Sequence, residues 1–149
     1  MMLIRELFKI TDIHQKRIIF SMDRLANIFP ISVGKIQNLS EQEFLLIELL
    51  TTRFSKLQDF MENKIFDAFL NQVGEQIEGL TMIDKLNKLE KLSIIENSSL
   101  WFELREIRNH ISHEYPDNPS ATAKYLNQLY VAIPKLLSIL DNIKARIDF

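Results

Sequence analysis

One short segment, residues 104–116, concentrates the side chains that could perform chemistry at neutral pH. It holds two of the three histidines and two of the seven arginines of the chain. Within it Arg108 and Asn109 are followed by three residues, then His113, one residue and Tyr115. An imidazole is a suitable general base near neutral pH, and a guanidinium is a planar fork of donors that suits a phosphate. Arg108 and His113 are therefore one candidate catalytic pair, and Arg105 and His110, at the same spacing, are another.

The spacing of this pair indicates what must bring the two side chains together. They lie about 500°, or about 140° net, apart around an ideal helix, so both cannot reach one small ligand while the helix stays regular. Either the helix unwinds before Pro116 and turns His113 round, or a twofold axis presents the same face of a second copy across a cleft.

The pattern of Arg108, Asn109, His113 and Tyr115 resembles the signature of HEPN-domain proteins, particularly HepT-like ribonuclease toxins. HEPN domains are helical bundles of about this size with the motif near the end of a late helix, and here the motif closes the fourth predicted helix. Arg105 with His110 has the spacing of the shorter form of the motif. Only His113 has the tyrosine two residues on, so we favour the pair that contains it.

The resemblance implies a metal-independent endoribonuclease toxin that places two motifs at a homodimer interface. The ribose 2′-hydroxyl would attack the adjacent phosphate, with His113 as the base and Arg108 opposing the charge on the phosphate oxygens. Because RNA supplies the nucleophile, we expect no metal and no cofactor. Single-stranded RNA is the expected substrate, since its sugar can reach in-line geometry and its bases can stack on aromatic rings.

The resemblance also implies a partner protein. In such toxin and antitoxin pairs a small nucleotidyltransferase is the antitoxin and adds adenylyl groups to the motif tyrosine, which Tyr115 matches. The added phosphodiester would place negative charge and bulk where the substrate phosphate should bind beside Arg108. Two alternatives stay open. One is a noncatalytic HEPN subunit that binds nucleotide or docks on a nucleotidyltransferase, and the other is a helical adaptor in which the motif is incidental.

Four further residues of the segment are supporting candidates. Asn109 and Ser112 could orient the substrate or the imidazole through hydrogen bonds. For His110 a surface position competes with a role in the site. For Arg105 a solvated charge pattern competes with a phosphate contact.

Five amphipathic helices must position this segment. The predicted helices cover residues 12–29, 40–74, 81–93, from 97 or 98 to 116, and from 118 through at least 140. Capping boxes begin the second and third helices, at Ser40 and Thr81, and Asn118 before a proline begins the fifth. We expect Pro134 to bend the fifth helix. Residues 1–10 either extend the first helix backwards or pack separately as an apolar arm.

The composition agrees with one all-α domain over residues 1–149, an up-and-down antiparallel bundle of about five helices. The chain is 46% hydrophobic, and its three glycines and four prolines are too few for a turn-rich β fold. It has no cysteine, no apolar run long enough to span a membrane and no signal-peptide core, so we expect a cytoplasmic protein. The net charge of -2 makes RNA binding depend on local basic residues. Lys85, Lys88 and Lys91 are either such a strip or a solvated face.

Overall fold

The structure, a computed structural model, describes residues 3–111 and 117–147. These residues form helices and no strand, which confirms the all-α helical bundle. The helices are α1 (Ile4–Leu25), α2 (Val33–Gln37), α3 (Glu41–Phe60), a π-helical segment (Met61–Ile65), α4 (Phe66–Gln72), α5 (Met82–Lys91), α6 (Ser98–Ile111) and α7 (Pro119–Arg146). Within the described ranges, no helix is long and apolar enough to cross a membrane.

The N-terminal residues extend the first helix backwards, so α1 begins at Ile4 rather than near residue 12. Ile4, Leu7 and Phe8 are buried and continue the apolar face of the helix, which packs along α3. The helix ends at Leu25, earlier than predicted. The short helix α2, which was not predicted, follows after a loop and buries none of its residues.

Local capping signals fix the starts of three helices as predicted. The Ser40 hydroxyl accepts from the Glu43 N–H at 3.1 Å, and the Glu43 carboxylate accepts from the Ser40 N–H at 3.0 Å. That backbone hydrogen bond lowers the pKa of Glu43. Thr81 begins α5 with the same reciprocal pair, and the Asn118 side chain accepts from the N–H of Ala121 at the start of α7.

The predicted long second helix is a continuous run of α3, the π-helical segment and α4. It ends at Gln72, two residues before Gly74, whose φ of 87° favours glycine. Phe66, Phe69 and Leu70 are fully buried by the chain itself, so α4 packs this apolar face into the core. The π turn was not predicted, and such turns are frequent at functional sites.

Helix α7 continues through Pro134, and its buried face closes the core against α6, α2 and α1. Asn127, in the first third of α7, holds the loop before α2. Its side-chain oxygen accepts from the Ile31 N–H at 2.7 Å, and its amide donates to the Ile31 carbonyl at 3.0 Å. This double hydrogen bond fixes the chain entering α2 against the surface of α7.

Candidate functional site

The candidate motif begins on α6, which runs antiparallel to the end of α3 and to the π-helical segment. Trp101 and Arg105, at the start and middle of α6, contact Glu62, whereas Arg108, further along, contacts Asp59. Residues with higher numbers on α6 therefore contact residues with lower numbers on α3 and the π-helical segment, as in antiparallel helices. This register places Arg108 beside the last turn of α3.

Glu62 is the anchor of this contact. The carboxylate is 7% exposed, accepts from the indole N–H of Trp101 at 2.9 Å and from Arg105 at 3.0 Å, and projects from the π-helical segment. Trp101 is fully buried and packs edge-to-face on Phe66 with ring centroids 4.6 Å apart. A buried carboxylate that accepts two donors is satisfied, so it fixes the axial position of α6.

Arg108 lies one turn beyond this anchor and is held at the surface. Its guanidinium forms an ion pair with Asp59 and donates to the Asn109 side-chain oxygen at 3.0 Å. The Arg108 side chain is 19% exposed and the Asp59 side chain is 50% exposed. Asp59 is more exposed than Arg108, so it restrains the guanidinium without burying it.

The structure gives each supporting candidate on α6 a definite place. Arg105 forms an ion pair with Glu62 and is therefore part of this anchor. His110 stacks on Tyr125 of α7, with ring centroids 4.3 Å apart and planes at 7°. Its Nε2 lies 3.6 Å from a Glu106 oxygen. Ser112, His113 and Tyr115 lie outside the described residues.

One cavity adjoins the end of α6, and a second lies on α1, α3 and the π-helical segment beside the partner of Arg108. The larger, about 990 Å³, lies between α2, α3, α6 and α7, and the stacked His110 and Tyr125 contribute to its wall. The smaller, about 350 Å³, lies beside Asp59. Lys56 lines both cavities, and the smaller one is lined by His14, Lys56, Asp59, Phe60, Asn63 and Lys64. The Asp59–Arg108 pair thus stands next to a concave surface with basic side chains.

Positive charge is concentrated where α1 meets α3. Arg53 donates to Nδ1 of His14 at 3.3 Å. Burial of the imidazole, followed by the nearby charges of Arg53, Lys56 and Arg17, lowers the pKa of His14. The imidazole is therefore neutral at pH 7 and accepts from Arg53.

Two of the three lysines in the strip Lys85, Lys88 and Lys91, in contrast, are paired with carboxylates. Lys85 pairs with Asp67 at 2.9 Å, and Lys88 pairs with Glu75 at 2.8 Å. Each of these charges is neutralised by a carboxylate of the preceding part of the chain. Among the described residues, Arg17 on α1 and Arg53 and Lys56 on α3 have no such ion pair with a carboxylate.

Sequence reasoning missed Asp59 and Glu62. The sequence carried one signal for Glu62, because a carboxylate there directly follows Met61, an apolar residue of the second predicted helix. Asp59 had no local signal. Across residues 3–111 and 117–147, no group of three or more histidine or carboxylate side chains is placed to hold a metal ion. Comparisons with family models, curated proteins and solved structures found no significant match.

Proposed function

We propose that this chain is a metal-independent endoribonuclease of the HEPN type, with Arg108 and His113 as its catalytic residues. The observation that carries the proposal is the motif of Arg108, Asn109, His113 and Tyr115 in an all-α bundle. The ion pair of Arg108 with Asp59 adds support, because it holds the guanidinium at the surface beside a basic cavity.

The proposed reaction is an intramolecular transesterification, in which the phosphate exchanges its bond to a 5′ oxygen for a bond to the neighbouring 2′ oxygen. His113 takes the proton of the ribose 2′-hydroxyl, and the oxygen attacks the adjacent phosphorus. The bond to the 5′ oxygen of the next nucleotide breaks, and that oxygen takes a proton from water. The products are a 2′,3′-cyclic phosphate and a 5′-hydroxyl end. Arg108 stabilises the negative charge that gathers on the phosphate oxygens.

Asp59 is compatible with this role of Arg108. A guanidinium has five N–H donors in a fixed fork, so pairing with a carboxylate does not use its whole donor capacity. The carboxylate also sets the orientation of the fork before the substrate arrives, which reduces the entropy lost on binding. Asp59 is thus a positioning residue for Arg108.

The proposed active form is a homodimer. Arg108 lies within the regular helix α6, and His113 is five residues further on. In a regular helix, an angle of about 140° would separate side chains five positions apart, so one copy with such a helix could not direct both groups at one phosphate. A twofold axis beside the end of α6 would place the arginine of one copy opposite the histidine of the other.

Cleavage of a labelled single-stranded RNA in excess chelator tests the activity. We expect cyclic phosphate ends, and a loss of rate of at least ~100-fold in both Arg108→Ala and His113→Ala. Arg24→Ala, at an exposed arginine in the last turn of α1, is the matched control and should keep the wild-type rate. Equal rates in wild type and the two site variants would refute the assignment.

We further propose that a nucleotidyltransferase antitoxin silences the site through Tyr115. Adenylylation would place a phosphodiester next to Arg108 and exclude the substrate phosphate. Mass spectrometry of the protein, co-expressed with a nucleotidyltransferase that suppresses its toxicity, should find the adenylyl group on Tyr115. Suppression with an unmodified tyrosine would contradict this mechanism.

One observation favours the noncatalytic alternative, a subunit that binds nucleotide. The larger cavity has a volume suited to a small ligand, and its wall includes the stacked His110 and Tyr125. Intact RNA together with tight nucleotide binding, weakened by Tyr125→Ala, would support this alternative over the nuclease.

A further inference from the structure

Four cationic side chains and one imidazole of α1, α3 and the π-helical segment form one surface, which we call the basic face. Its members are His14, Arg17, Arg53, Lys56 and Lys64. His14 and Arg53 are in contact, and His14, Lys56 and Lys64 line the same cavity of about 350 Å³. The face therefore combines residues that are far apart in the sequence.

The charge of the basic face is not neutralised within the described chain. None of Arg17, Arg53, Lys56 and Lys64 forms an ion pair with a carboxylate among residues 3–111 and 117–147. The carboxylate that lines the cavity, Asp59, is paired with Arg108. Because the whole chain has a net charge of -2, this local excess of positive charge is typical of a surface that binds a polyanion.

The cavity also offers an aromatic ring. Phe60 lies between Lys56 and Lys64 in the sequence, four residues from each, and all three line the cavity. The two lysines are eight residues apart, or ~10–12 Å along the helix axis, because the π-helical segment rises less per residue than an α-helix; this is the rise of about three stacked nucleotides. Cations that flank an aromatic ring at this spacing suit single-stranded nucleic acid, whose bases stack while its phosphates contact the cations.

The basic face is continuous with the candidate catalytic arginine, because Asp59 both lines the cavity and holds Arg108. We propose that single-stranded RNA runs from Arg108 over the basic face, with its phosphates on Lys56 and Lys64 and a base stacked on Phe60. This inference rests on the proposed function and names the path of its substrate. The local positive charge of the basic face would allow a chain of negative net charge to bind RNA.

The test measures binding of a single-stranded oligoribonucleotide that carries 2′-O-methyl groups, which the proposed reaction cannot cleave. Fluorescence anisotropy over a range of salt gives the slope of log K against log salt. The double variant Lys56→Gln/Lys64→Gln should lose about 1.4 from that slope and bind about 20-fold more weakly at 0.1 M salt. Both lysines are exposed, so the fold should tolerate the changes.

Two matched variants separate the contribution of charge to RNA binding from the contribution of stacking. Lys85→Gln/Lys88→Gln removes the same charge from α5, where both lysines are already paired, and should leave the slope unchanged. Phe60→Leu keeps an apolar side chain and should weaken binding about fivefold or more, also without a change of slope.

The outcomes distinguish this inference from the proposed function. Binding by the Lys56→Gln/Lys64→Gln variant with the wild-type slope would overturn the inference, while cleavage by the wild type would leave the nuclease standing. Binding that depends on the basic face, without cleavage, would support the inference and refute the nuclease. A wild-type protein that neither binds nor cleaves RNA would overturn both.

Discussion

Replacement of Glu62 tests whether one buried carboxylate fixes α6, and with it Arg108. Glu62→Ala leaves the indole N–H of Trp101 without its acceptor, and Trp101 is fully buried. An unsatisfied buried donor costs about 1–3 kcal/mol. The pair with Arg105 adds about 0.5 kcal/mol or less, because that side chain is 35% exposed and the interaction is screened by solvent.

We therefore expect Glu62→Ala to lower the free energy of unfolding by about 2–3 kcal/mol, or the melting temperature by roughly 8 °C. Glu62→Gln keeps an oxygen that can accept from the indole, so its cost should be about 1 kcal/mol or less. Urea unfolding followed by far-ultraviolet circular dichroism measures both variants without depending on the single tryptophan.

A double-mutant cycle isolates the hydrogen bond. Trp101→Phe removes the donor, and in that background Glu62→Ala should cost at least about 1 kcal/mol less than in the wild type. A cost of Glu62→Ala within about 0.5 kcal/mol of zero, or one that is equal in both backgrounds, would refute the reasoning that this contact anchors α6.

Three further predictions follow from other contacts. Because the pKa of His14 is lowered from 6.5, the unfolded chain takes up a proton that the folded chain does not, so stability is full above about pH 6.5 and declines below it. His14→Gln should flatten that decline in urea unfolding between pH ~7 and ~5.5, and an unchanged decline would contradict the assignment. Asn127→Ala should cost about 2 kcal/mol, because it removes both hydrogen bonds to Ile31, whereas Asn127→Asp keeps the acceptor and should cost less in the same assay. Asp59→Asn removes a negative charge beside Arg108 but keeps a side-chain oxygen that can accept from the guanidinium and orient it, so it should strengthen binding of 2′-O-methyl RNA about fivefold at 0.1 M salt, and weaker binding would count against the proposed path.

Helix starts could be predicted from the sequence because their signals are local. The capping boxes at Ser40 and Thr81 join residues three apart, and each forms as the pattern indicates. Helix α2 was missed because five residues with no buried member show no apolar periodicity.

The residues that contact the candidate site could not be predicted, because these contacts depend on how α6 is aligned against the π-helical segment in the folded chain. Glu62 is 39 residues from Trp101 and 43 from Arg105, and a shift of one residue along α6 would break both contacts. The π-helical segment changes which side chains face α6, and no local pattern in the sequence marks it. The motif residues themselves were found because their types and spacing are unusual within one short segment.

The most direct test of the central claim is the RNA cleavage rate, in chelator, of a purified heterodimer of one Arg108→Ala chain and one His113→Ala chain. If arginine and histidine come from different copies, one of its two sites is intact and the other lacks both groups. We then predict about half of the wild-type rate, although each homodimeric variant is inactive. A heterodimer as inactive as its parents, or a wild-type protein that leaves RNA intact, would contradict the account.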